Sequence, residues 1–192
     1  MLRITRLLLF WLLFPLLLSG CASNDRNFDF WGLDAPDFDQ FTLSKNLKQV
    51  ENSRGARWQI AYEGEQSSTF EGKIRHISVN YEPSLPFLTH DILVTSGDFA
   101  DPQRVDTLVS NHHFSWSAAE QPDGKINLLH VVVLDAGLYD QLMQLHTDDW
   151  VRIRGREILT IELHQKDRLT MSWSDSGCNT LLIEAIQLQD SP

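Results

Sequence analysis

The most constraining stretch of this chain is "DWVRIRGREILTIELH", residues 149–164. Val151, Ile153, Leu159, Ile161 and Leu163 alternate there with Arg152, Arg154, Arg156, Thr160, Glu162 and His164. Side chains of a strand point to opposite faces at every step, so a period of two describes one strand with a wet face and a dry face. The pattern runs straight through Gly155, which suits a long strand that bends, as barrel strands do at glycine. A turn at "QKD" then leads into "RLTMSW", where Leu169, Met171 and Trp173 continue an apolar face.

Strand-like segments recur on both sides of this one. "RWQIAYEG" and "GKIRHISVNY" end at Gly64 and at the proline pair Pro83 and Pro86, "HDILVTSG" follows, and "NHHFSWS", "INLLHVVVL" and "LLIEAIQL" come later. Between them, Asp101 and Pro102 have the order of an N-cap and a first helical residue. They predict a helix with Val105, Leu108 and Val109 turned inward. Asp135 predicts a second helix, with Leu138, Leu142 and Leu145 on one face. "SKNLKQVENS" fits a short helix through Leu43, Leu47 and Val50. Many strands with helices between strand groups predict a mainly β (α+β) fold, a small, partly open, OB-like β-barrel with two short helices. An α+β sandwich is the alternative.

The first residues have the build of an export signal. Arg3 and Arg6 precede an apolar run from Leu7 to Leu18, interrupted at Pro15, and Ser19 and Gly20 lead into Cys21. About a dozen apolar residues fall short of the roughly 20 that a spanning helix needs. Leu18, Ser19, Gly20 and Cys21 resemble the lipobox of bacterial lipoproteins. That resemblance implies cleavage before Cys21, diacylglyceryl attachment to its sulfur and a lasting membrane anchor, since each buried methylene contributes about 0.8 kcal/mol. It also implies the outer membrane, facing the periplasm, because Ala22 and not aspartate follows the cysteine. The expected organisation is a signal peptide at 1–20, an acidic and aromatic tether at 21–55 and one β-rich domain at 56–190.

The tether carries five aspartates between residues 22 and 41, together with Phe28, Phe30, Trp31, Phe38 and Phe41. A plain spacer needs no aromatics, so these either fold back on the domain or form a docking motif. Asp25, Asn27 and Asp29 open like a calcium loop. Phe30 and Pro36, however, stand where its glycine and its bidentate glutamate belong. With Cys21 lipidated, Cys178 has no intramolecular disulfide partner, and it is expected to enter the core with the last strand.

Charge narrows the partners. Cleavage at Cys21 lowers the basic count from 16 to 14 against 26 acidic residues, a net charge of −12. Such a body repels nucleic acid, and none is expected as a partner. Against that background Arg152, Arg154 and Arg156 should project from one face over about 13 Å. Lys73 and Arg75 repeat the spacing on an earlier strand. Guanidinium forks suit carboxylate and phosphate, so these five residues are the candidate surface for an acidic envelope protein or other anionic ligand. The competing reading is cross-strand pairing with local carboxylates, at about 0.2–1 kcal/mol per pair.

From about residue 73 onward, "DILVTSGDFADPQRVDTL", "LLHVVVLDA", "DDWVRIRGREI" and "RLTMSWSDSGCNTLLIEAI" resemble a family of uncharacterised exported or anchored bacterial proteins. Asp175, Gly177 and Cys178 occupy that family's turn before the final strand. Leu128, and Ser172 or Trp173, replace its asparagine and arginine. The resemblance implies a shape and no particular chemistry.

Signatures of catalysis are few. The sequence has no phosphate-cradling glycine loop, no CxxC pair and no HExxH, and Ser176 in "SDSGC" lacks a nucleophile's strand–turn–helix setting. His112 and His113, as neighbours in a strand, would face opposite ways and could not share an ion. His130 reads as a hydrogen-bonded core residue, and no metal or other cofactor is expected. The sequence therefore points to a non-enzymatic lipoprotein that binds or assembles. The alternative is an envelope hydrolase drawing on His90, Asp91, His112, His113 and His130.

Overall fold

The computed structural model describes residues 36–174 and 177–191. The lipobox with Cys21, the calcium-like triplet, Phe28, Phe30, Trp31, Asp175 and Ser176 lie outside the described residues. The strands are β1 (Phe41–Leu43), β2 (Gln49–Asn52), β3 (Arg57–Tyr62), β4 (Ser68–Val79), β5 (Leu88–Gly97), β6 (Val105–Ser110), β7 (His113–Ala118), β8 (Gly124–Val132), β9 (Trp150–Gln165), β10 (Arg168–Ser174) and β11 (Asn179–Gln189). One α-helix, α1 (Ala136–Leu142), and two short 3-10 turns, Phe38–Gln40 and Asp98–Ala100, complete the described residues.

The fold is mainly β, and five strands close on themselves in the order β4–β9–β11–β8–β5 and back to β4. The barrel is thus closed where a partly open one was expected. All these pairings are antiparallel except β11 with β8.

The long strand β9 makes closure possible. Its first half, Trp150 to Gly155, lies between β4 and β11, and its second half pairs with β3 and β10. Gly155 stands at the hand-over. A Cβ there would sit 2.3 Å from the Leu182 carbonyl oxygen and 2.8 Å from Leu181 Cγ. Only glycine lets β11 approach this closely. The expected alternation also slips after Gly155: Ile158 is buried and Leu159 faces solvent, where the β3 register shifts between Ala61 and Tyr62. Leu169 is exposed as well, beside a similar shift in β10.

Two apolar clusters use the two faces of the wall. Ile74, Ile92, Val94, Leu129, Val131, Val151, Ile153, Leu181 and Ile183 form the first, joined by Tyr139 and Leu142 of α1 and by Leu145. Trp58, Ile60, Phe87, Val132, Ile158, Ile161, Leu163 and Leu182 anchor the second. Alternation along β8 assigns the faces: Leu129 and Val131 belong to the first cluster and Val132 to the second.

Helix α1 is capped as expected, with the Asp135 carboxylate accepting from Leu138 N at 2.8 Å. The other two predicted helices do not form. Residues 41–52 make the hairpin β1–β2, with Leu47 at φ 59° in its turn. Phe38 packs against Tyr139, and Phe41 against Trp58 and Phe87, so these two aromatics fold back on the domain. After Asp101 and Pro102 the chain turns and enters β6. Its Val105 is buried, but Leu108 is 65% exposed and does not turn inward.

Candidate functional site

Register brings polar residues together on a face that is otherwise apolar. Ser78 of β4 is opposite Asp91 of β5, Asp91 is opposite His130 of β8, and His130 is opposite Thr180 of β11. Four neighbouring strands thus form one row. Asp91, His130 and Thr180 are buried. Burying a carboxylate is costly unless its oxygens are matched, and this one is met by imidazoles. The His130 Nδ1 lies 2.7 Å from Asp91 Oδ1 in a hydrogen bond.

The other oxygen is met from outside the barrel. Strands β6 and β7 form a separate two-stranded sheet, joined by the two-residue turn Asn111–His112. Both turn residues have positive φ, 51° and 62°. A turn with two positive φ values suits the twist of a hairpin, and its second position favours glycine. Here a histidine occupies it, at a local cost of about 1–3 kcal/mol that the surroundings must offset. The imidazole reaches the row: His112 Nδ1 is 2.9 Å from Asp91 Oδ2. That contact is not aligned as a hydrogen bond, so the buried Nδ1 has no hydrogen-bond partner. Asn80 beside the same carboxylate also has a buried, unaligned Nδ2.

Trp173 of β10 covers the pair. Its ring stands edge-on to His112 at 5.6 Å and to His130 at 5.7 Å, and its Nε1 donates to Thr180 Oγ1 at 3.1 Å. Cys178 Sγ lies 3.6 Å from the His112 carbonyl oxygen and is half-buried, whereas a core position was expected. The solvent-facing edge of the cluster is His112, whose side chain is 37% exposed against 5% for Asp91.

Burial alone would raise the Asp91 pKa. The His130 hydrogen bond and the nearby imidazoles outweigh it and hold the carboxyl below its ordinary range. Among the described residues no lysine or arginine pairs with it; its ion-pair neighbours are His112 and His130. One ligand atom each from Asp91, His112 and His130 can be drawn so that all lie within 4.8 Å of one another, a grouping suited to a metal ion. The expectation of no metal site rested on treating His112 as a strand residue, and the turn removes that premise.

The remaining candidates lie apart. His90 faces the other way, 5.7 Å from Tyr139, with Nδ1 2.9 Å from Thr89 Oγ1, and burial pushes its pKa down to about 4. His113 is exposed at the start of β7. Each cation of the proposed surface has a local neighbour. Arg152 Nε meets Glu71 at 2.5 Å, directly across from it on β4. Arg154 lies 3.5 Å from Glu184, and Arg156 stacks 3.9 Å over the Tyr62 ring. Lys73 meets Asp148 at 2.8 Å, and Arg75 donates to the Phe99 and Val105 carbonyls. The three clefts described on the protein, the largest about 820 Å³ between Phe41, Tyr81 and Lys166, are lined by residues outside the Asp91 cluster.

Thr180 and Asn80 are site members that the sequence did not single out, and Trp173 was read only as part of an apolar face and as a departure from the resembled family. The polar Asn-His pair between two alternating segments was the available signal for the turn. Among known proteins, no family matches this chain and no curated protein matches it.

Proposed function

We propose that this chain is a lipid-anchored protein of the bacterial envelope, held through Cys21 at the periplasmic face of the outer membrane, whose barrel binds a cation at Asp91. One observation carries the reading: a buried carboxylate is faced by two imidazoles and by no permanently charged partner among the described residues. A buried charge needs a counter-charge, and a bound cation supplies one. The edge-on cover of Trp173 over both imidazoles suits a small ligand held between them. The arginine row is the weaker binding candidate, since neighbouring side chains and carbonyls already engage its cations. An envelope hydrolase remains the second reading, because three protein ligands leave a coordination position open to water.

The test uses the full chain in detergent. A cation at about 100 times its Kd stabilises the fold by about 2.7 kcal/mol. In a domain of this size that raises Tm by roughly 5–11 °C. Asp91→Asn should abolish the rise while the protein still folds. If magnesium, calcium, manganese and zinc all leave Tm unchanged, the reading is wrong. Fractionation of Cys21→Ser tests the anchor separately: the variant should leave the membrane fraction, and its retention there would refute lipid attachment.

A further inference from the structure

We infer that the ion is a first-row transition ion of the zinc type, held by Asp91, His130 and His112, and that it ties the hairpin β6–β7 to the barrel wall. The inference rests on the cation-site reading above and specifies its ligand and its consequence.

The donor set selects the ion. Two imidazole nitrogens and one carboxylate suit zinc, nickel, copper or iron, whereas calcium takes six to eight oxygens and magnesium keeps an oxygen octahedron. Asp91 is the cluster's one carboxylate. The spacing is close to what such an ion needs. Bonds of about 2.0–2.2 Å in a tetrahedron place donor atoms roughly 3.3 Å apart. His130 Nδ1 lies 2.7 Å from Asp91 Oδ1 and His112 Nδ1 2.9 Å from Asp91 Oδ2, and one donor atom from each of the three residues falls within 4.8 Å of the others. Seating an ion requires the donors to draw toward that spacing through side-chain rotation at Asp91 and His112. Ligation through Nδ1 puts each imidazole proton on Nε2.

The hairpin is what the third ligand adds. Among the described residues, strands β6 and β7 pair only with one another. A two-stranded hairpin alone is marginal in water. Its base is held by Arg75, which donates to the Val105 carbonyl, and by the edge contact of Trp116 with Phe99. The described attachments of its tip all pass through His112: to Asp91, to His130, to Trp173 and to Cys178. That residue holds a backbone conformation in which glycine would be easier, and its buried Nδ1 has no hydrogen-bond partner. A metal bond at this nitrogen satisfies it and fastens the tip.

The experiment titrates untagged full chain in detergent with zinc, calcium and magnesium, and with cobalt for its visible spectrum. Amide exchange of residues 105–118 is followed with and without zinc. We expect one zinc per chain, a cobalt spectrum of nitrogen and oxygen ligation, and no site for calcium or magnesium. His112→Ala, a change at a partly exposed turn, should weaken zinc at least 100-fold, beyond the 10–100-fold typical of outer-shell changes. Cys178→Ser should leave the affinity unaltered. Zinc should slow exchange of 105–118 at least tenfold in the wild type and not in His112→Ala. Calcium or magnesium binding that needs Asp91 but not His112 overturns this inference and leaves the cation reading standing. Zinc affinity lost in Cys178→Ser, or zinc binding without hairpin protection, also overturns it. No binding of any ion overturns both.

Discussion

Replacing Gly155 with alanine probes the step that closes the barrel. The added Cβ would lie 2.3 Å from the Leu182 carbonyl oxygen and 3.0 Å from its carbon, with Leu181 Cγ at 2.8 Å. The nearest atom is a backbone oxygen, which cannot swing aside as a side-chain end can. Relief requires β11 to move away from β9 along their ladder from Trp150 to Ile158. Overpacking of a core costs about 1–3 kcal/mol, and a clash with backbone belongs at the upper end, at about 3 kcal/mol. For a domain of this size that lowers Tm by roughly 6–12 °C. Gly64 is the control. A Cβ there meets nothing within 4 Å, and its φ lies outside the left-handed region. Gly64→Ala should therefore stabilise by about 0.4–1 kcal/mol through the unfolded chain alone. Urea unfolding followed by tryptophan fluorescence measures both. If Gly155→Ala costs less than about 1 kcal/mol, the strands do not cross as closely as described and the account of closure fails.

Other consequences follow from single side chains. Burial is the main reason the Tyr62 pKa is pushed up to about 12; Arg156 opposes it and Glu184 adds to it. The neutral phenol is thus favoured by the fold. Its contribution is complete below pH 10 and is lost as pH rises from 10 towards 12, so denaturant midpoints should fall across that window. A phenolate absorbance midpoint near 10 for Tyr62 would contradict this. Arg152→Ala should cost no more than about 1 kcal/mol, as for an exposed pair. Arg156→Ala should cost more, because its guanidinium covers the half-buried Tyr62 ring. Equal costs in chemical denaturation would count against that packing. Asp135→Ala should lose about 1 kcal/mol by removing the cap of α1, and no loss in the same assay would show that the cap is not felt.

The sequence disclosed local periodicity well and long-range register poorly. Strand β9 was legible because its alternation is long, and α1 because Asp135 caps a clear apolar face. Asp101 and Pro102 carry the same cap signal, and the Asp101 carboxylate does accept from Gln103 N at 2.8 Å. That bond closes a turn and not a helix, because Val105, Thr107 and Val109 follow with a strand's period of two. Asp91, His112 and His130 were all named as candidates, yet His112 and His113 were assigned to opposite faces of one strand. The left-handed turn changes that geometry. Nothing local announces that Asp91 will stand opposite His130, because their pairing depends on the register between β5 and β8, which shifts between Leu88 and His90. Cys178 illustrates the same limit: its place beside the His112 carbonyl depends on where the hairpin tip lands.

The central claim is that Asp91, His112 and His130 hold one metal ion between the barrel and the hairpin tip. An anomalous-difference map from crystals grown with zinc, recorded on both sides of the zinc edge, tests it directly. The account predicts one zinc peak with a carboxylate oxygen of Asp91 and one nitrogen each of His112 and His130 at about 2.0–2.2 Å. A map without a peak at this cluster, or with zinc bound at Asp91 while His112 stays away from it, would contradict the account.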